Sequence, residues 1–237
     1  FFFKQKTAYE ISTRDWSSDV CSSDLGDAAS YSGSGSTWTD LAGGDNNATL
    51  INTPTYISSN SGYLNFSPAS LEYATIPNIG NLSNWTVETW LRVTASLTGK
   101  VTSVVTNQFD LVSKLNFSIG TNRSPTSYNL CAGFFDSNGW HNTAGFAPSL
   151  NTWYQVVGTY DGFTITQYVN GASNTGLSYL GTPQSGGQVR IARRWDETLS
   201  AGNLMPADIG IVRIYNRALT SLEVAENFDA LRSRYGL

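Results

Sequence analysis

Asn151-Thr152-Trp153-Tyr154-Gln155-Val156-Val157-Gly158-Thr159-Tyr160-Asp161-Gly162, running on through Phe163 to Gln167-Tyr168-Val169-Asn170-Gly171, is the stretch that decides the fold. Its β-branched and aromatic residues read as two strands, 153–160 and 163–170. Asp161-Gly162 between them is the residue pair that accepts the positive φ angles of a two-residue type I′ turn, so the segment is expected to form an antiparallel hairpin.

Working outward from the hairpin, further short runs separated by turn residues predict strands at 63–66, 71–76, 85–93, 101–105, 115–119, 128–135, 188–192 and 209–215. In the run from Trp85, one face carries Trp85, Val87, Thr89, Leu91 and Val93, and the other carries Thr86, Glu88, Trp90 and Arg92. Period two assigns the first set to the core. Near the C-terminus, Thr220-Ser221-Leu222-Glu223 has the form of a capping box, and Leu222, Ala225, Phe228 and Leu231 recur on one helical face. Arg232 and Arg234 suit the negative end of that helix's dipole and Gly236 can stop it, so a helix packing on the sandwich edge is expected. Many short strands and one helix predict an all-β, two-sheet antiparallel sandwich. No repeat of solenoid or propeller length is present.

Residues 1–25 read differently. Lys4 to Glu10 and Asp15 to Asp24 resemble, in frame and in order, the translation of the two fixed halves of a sequencing adapter, with 11–14 as the variable index between them. The segment is expected to be non-native and to lie outside a single domain at 26–237, disordered or with incidental structure. Without it, the net charge of −4 becomes about −3, from 11 basic and 14 acidic residues, too acidic for a footprint on nucleic acid. Cys131 is then the only cysteine, which excludes an internal disulfide framework and suits a small buried hydrophobe. No apolar run reaches the ~18 residues of a membrane span, so membrane insertion is not expected. Richness in Gly, Ser, Thr, Asn and aromatics, with 14% charged residues, suits a surface-displayed β-protein.

The 151–171 segment resembles the phrase "NTWYHVVGTYDG…LYVNG" of laminin-G-like jelly rolls of the concanavalin A-like lectin/glucanase class. Ile209 to Thr220 resembles that family's last strand, and Trp38 to Leu50 its opening "W.DLSGNGNNGTL". The resemblance implies a jelly-roll sandwich whose members bind glycans, proteins or surfaces in secreted bacterial proteins and in phage structural proteins. An extracellular, cell-surface or virion location follows as an expectation. One departure stands out: where members often carry an acidic "FDGVDDYV", this chain has Phe66-Ser67-Pro68-Ala69-Ser70-Leu71-Glu72-Tyr73-Ala74.

The residues favour binding over catalysis. No E-x-D-x-E or E-x-D-x-x-E pattern supplies the paired carboxylates of a glycosidase. His141 has no second histidine for a zinc site. Trp140, with His141 and Asn142, and Trp195, with Arg194 and Asp196, lie in polar segments expected to be loops, where large rings would stack on sugar faces and the polar neighbours would hydrogen-bond to them. These six residues form the expected ligand set, with a glycan or cell-surface polymer as partner. A structural calcium ion is the one cofactor considered, with Asp40, Asp45, Asp136 and Asp208 as candidate ligands. The alternative to a carbohydrate- or surface-binding adhesion module is a purely structural sandwich contacting other particle or cell-surface proteins. A glycan-cleaving enzyme ranks third, and would need two carboxylates ~5–9 Å apart in a cleft.

Overall fold

The computed structural model describes residues 19–108, 115–121, 128–184, 186–194 and 199–237. The strands are β1 (Asp19–Asp24), β2 (Thr37–Trp38), β3 (Ala48–Ile51), β4 (Thr55–Ile57), β5 (Tyr63–Phe66), β6 (Tyr73–Asn78), β7 (Trp85–Val93), β8 (Ser103–Gln108), β9 (Leu115–Thr121), β10 (Leu130–Asp136), β11 (Gly139–Asn142), β12 (Trp153–Tyr160), β13 (Thr164–Val169), β14 (Ala172–Ser178), β15 (Gln188–Ile191) and β16 (Ala207–Tyr215), followed by helix α1 (Ser221–Leu231). Two eight-stranded antiparallel sheets stack as a jelly-roll sandwich. The first runs β14-β13-β12-β7-β16-β5-β4, with β1 added to β16, and the second runs β11-β10-β9-β8-β15-β6-β3-β2.

The alternation expected of β7 holds: Trp85, Val87, Leu91 and Val93 enter the core between the sheets, with Val156 and Tyr160 of β12, Phe117 and Ile119 of β9, and Phe134 of β10. The opposite face of β7 is buried too. A bulge between Ile209 and Ile211 in β16 turns Ile211 outward, where it joins Trp90, Trp153 and Tyr63 beneath Leu231 and Tyr235. Helix α1 therefore lies across the outer face of the first sheet, not on its edge.

Its capping box forms as expected between Thr220 and Glu223, but the buried side chains are Val224, Asn227 and Leu231, while Leu222 is exposed. The reason is Glu88, which is fully buried under the helix and accepts hydrogen bonds from Asn227 Nδ2 (2.9 Å), Gln155 Nε2 (2.9 Å) and Trp90 Nε1 (3.3 Å). A polar residue thus faces inward where the periodicity would turn it to solvent. Beyond the helix, Arg234 reaches to Asp24 and to the carbonyls of Asn60 and Gly62 instead of capping α1.

The turns differ from the sequence reading by one residue. The bond from Asp161 N to Thr164 O (3.4 Å) centres the first turn on Gly162-Phe163, and only Gly162 takes a positive φ (98°). That is a type II′ geometry. The type I′ turn lies at Asn170-Gly171 (φ 51° and 78°) and leads into β14, a strand the sequence did not signal. The segment 1–25, expected outside the domain, supplies β1: Cys21 and Leu25 enter the core and the strand pairs with β16 from Ile211 to Tyr215. Cys131 is buried as expected, with its thiol pushed up to about 12 by desolvation.

Candidate functional site

Among the described residues, four connections gather at one end of the sandwich: those between β6 and β7, β10 and β11, β12 and β13, and β14 and β15. Buried side chains tie them into one surface. Asn116 of β9 accepts from Leu82 N (3.0 Å) and donates to Leu82 O (3.0 Å) and Gln184 O (3.2 Å), joining the first connection to the last. The Tyr160 hydroxyl donates to Gly181 O (2.6 Å), with Gly162 O at 2.9 Å, and accepts from Gly181 N (3.1 Å). Tyr179 N donates to Phe163 O (2.7 Å), which brings the hairpin tip against the 179–184 loop.

Between these connections lies an open cleft of about 570 Å³. Asn81, Asn138 and Gln184 offer carboxamides to it, Asp136 a carboxylate, and Leu180 an apolar side chain 72% exposed. Phe163, 67% exposed, sits on the adjoining hairpin tip. Leu180 lines the polar recess, and the Phe163 backbone is held to Tyr179, the residue before Leu180. Asp136 Oδ1 accepts from Asn138 N (2.7 Å) and pairs with His141 Nε2 (2.9 Å), while Oδ2 accepts from the Tyr179 hydroxyl (2.7 Å). The His141 ring stacks on Tyr179 with centroids 3.5 Å apart. Burial alone would raise the Asp136 pKa, but hydrogen bonds from Tyr179, His141 and Asn138 outweigh it and hold the carboxyl below its ordinary range. The same bond raises the Tyr179 phenol above its usual value. Gly181 admits this packing, since a Cβ there would meet Asp136 Oδ2 at 2.8 Å.

The described members of the expected ligand set divide between two faces of the second sheet. Trp140, His141 and Asn142 are on β11, not a loop, and consecutive strand residues alternate faces. Trp140, half-buried, packs on Phe135 on the outer face of the second sheet and, with Arg194, lines a recess of only about 30 Å³, near the volume of one water. Asn142 donates to Thr143 O (2.6 Å). His141 points the other way, onto Phe134, Tyr179 and Asp136. Trp195 and Asp196 lie outside the described residues. The cleft residues Asn81, Asn138, Leu180 and Gln184, and Phe163 and Tyr179 beside them, were missed, and the one available signal was Phe163 and Leu180 themselves, apolar residues set among Gly, Asp, Thr and Pro in turns.

The acids chosen for calcium also serve elsewhere. Asp40 accepts from Ser22 N (2.8 Å), Ala42 N (2.9 Å) and Asn46 N (3.2 Å), and Asp45 is exposed in the same loop. Asp208 binds Arg92 (2.6 Å) and Asn65 (2.7 Å). Among the described residues, no three His, Cys, Asp or Glu side chains converge as a metal site. For glycan cleavage, Asp136 is the one carboxylate among the described residues of the cleft lining. Glu88 is under the helix and Glu72 accepts from Ser67 N (2.7 Å), while Asp110, Asp196 and Glu197 lie outside the described residues. No helix among the described residues is long and apolar enough to cross a membrane.

A laminin-G family profile, described as the concanavalin A-like lectin/glucanases superfamily, matches residues 68–225. No curated protein matches the sequence. Among solved structures, the binding domain of Paraclostridial Mosquitocidal Protein 1 superposes with a TM-score of 0.67 at 18% identity, over 90% of this chain and 52% of that one. Domain 4 of AbnA, a GH43 extracellular arabinanase from Geobacillus stearothermophilus in complex with arabinotriose, gives 0.68 at 13% identity, over 88% of this chain and 97% of that one. The binding domain of botulinum neurotoxin DC in complex with SialylT gives 0.64 at 15%, over 91% and 52%. This chain thus spans about half of the two toxin chains, and at these identities the likeness is one of fold.

Proposed function

The chain belongs to the concanavalin A-like lectin/glucanase superfamily, and from that membership we propose that it is a non-catalytic carbohydrate-binding module of an extracellular or particle-borne protein. The observation that carries this reading is the open cleft at the loop end, where hydrogen-bonding side chains meet the exposed Leu180, with the exposed Phe163 on the adjoining hairpin tip. A sugar ring has an apolar face and a rim of hydroxyls, so it fits an apolar platform beside carboxamides and a carboxylate. The cleft is preorganised by Asn116 and Tyr160, which lowers the ordering cost of binding. Further support comes from relatives in fold that are themselves binding domains or are bound to an oligosaccharide.

The test is a glycan-array screen of the whole chain, with and without calcium, repeated with Phe163→Ala, Leu180→Ala, Trp140→Ala and Trp195→Ala. Binding that Phe163→Ala or Leu180→Ala weakens about tenfold, with Trp140→Ala unchanged, places the site at the cleft. Loss with Trp140→Ala or Trp195→Ala alone would move it to the set read from the sequence. No binding in any condition would sink the reading in favour of a structural sandwich.

A further inference from the structure

Resting on the glycan-binding reading of the cleft, we infer that it selects uncharged sugars and rejects glycans carrying carboxylate or sulfate groups. Asp136 is the only ionisable side chain among the described residues that line it. Its hydrogen bonds favour the ionised form. A second negative charge stands nearby at the root of the hairpin tip, where Asp161 Oδ1 accepts from Phe163 N (2.8 Å) and Thr164 N (2.7 Å). His141 commits Nε2 to Asp136, not to a ligand.

Arginines with ion pairs among the described residues are placed elsewhere: Arg92 on Asp208, Arg213 on Glu88 and Asp24, Arg217 on Glu223, Arg232 on Asp229 and Arg234 on Asp24. An anionic sugar entering the cleft would lose water from its charged group and face Asp136, with no cation among the described lining residues to offset either cost. A hydroxyl loses far less, because the Asn138 and Gln184 carboxamides both donate and accept. Discrimination therefore arises from repulsion built into the wall, without any contact peculiar to one sugar.

Matched pairs test this: lactose against sialyllactose, and xylotetraose against its glucuronic-acid-substituted form, titrated onto the full chain by calorimetry at low and high salt. For whichever pair binds, the acidic member is expected to bind about tenfold more weakly or worse, with the gap narrowing as salt rises. Ser137→Lys, an exposed substitution in the cleft lining, is expected to close that gap by strengthening the acidic member. Equal or tighter binding of the acidic member, with loss on Phe163→Ala, would overturn the selectivity while leaving the glycan reading intact. Failure of both members to bind, or binding indifferent to Phe163→Ala and Leu180→Ala, would instead overturn the glycan reading and the inference with it.

Discussion

At the scale of single residues, the most demanding position in the fold is Glu88. A carboxylate with no exposure to water survives in a sandwich only because three neutral donors reach it and Arg213 Nη1 lies 3.7 Å away. Each donor is itself buried, so removing the acceptor leaves Asn227, Gln155 and Trp90 with hydrogens that have nowhere to go. Glu88→Ala is expected to destabilise the protein by about 3 kcal/mol or more in chemical denaturation. Glu88→Gln keeps one acceptor oxygen and the shape, and is expected to cost clearly less. Equal costs for the two would mean that packing, not hydrogen bonding, holds the helix to the sheet.

At the scale of elements, helix α1 hangs on its first turn. Thr220 Oγ1 accepts from Glu223 N (3.3 Å), Glu223 Oε2 accepts from Thr220 N (2.8 Å), and Arg217 pairs with the same carboxylate at 2.7 Å. Thr220→Ala is expected to lower stability by ~1 kcal/mol, read as a shift in the denaturation midpoint. Hydrogen bonds from Arg217 and the cap bring the Glu223 pKa down to about 2. Because the folded value is depressed, the stability Glu223 contributes is complete above its unfolded pKa, ~4.3, and is lost as pH falls toward about 2. The gap between the native protein and Glu223→Gln should close over that window.

Elements of this kind were legible because their signals are local: the capping box, the alternation of β7 and the strands at 63–66, 85–93 and 153–160 all stand where the sequence puts them. What was not legible depended on a partner far along the chain. The inward turn of Asn227 answers to Glu88, 139 positions away, and no helical period encodes it. β14, with residues such as Ser173, Asn174 and Gly176 and mostly exposed side chains, is a strand by virtue of its neighbour β13 and the Asn170-Gly171 turn.

At the scale of the whole molecule, the site illustrates the same limit. The tryptophans stood out in the sequence, but Trp140 went to a sheet face, while the loops carrying Phe163 and Leu180 are joined by the Tyr160 hydroxyl and by the bond from Tyr179 N to Phe163 O. Only the assembled sandwich end has a cleft.

The first sheet poses the remaining question, because its β16 is completed by residues whose non-native origin was proposed from their sequence. β1 is a poor strand on its own terms: Ser23 faces the core beside Cys21, with a 3.4 Å hydrogen bond to Thr39 O that Ser30 Oγ already satisfies at 2.7 Å. Its position nevertheless covers the β16 backbone from Ile211 to Tyr215, buries Leu25, and gives Arg234 its partner Asp24. A chain lacking residues 1–25 is therefore expected to be less stable, by about 3 kcal/mol or more, than one lacking only residues 1–18, from the loss of one buried leucine and a ladder of backbone hydrogen bonds. Chemical denaturation of the two truncations decides it. Equal stability would mean that the sandwich closes without this strand, whereas the expected gap would mean that the sandwich depends on a strand in the slot beside β16.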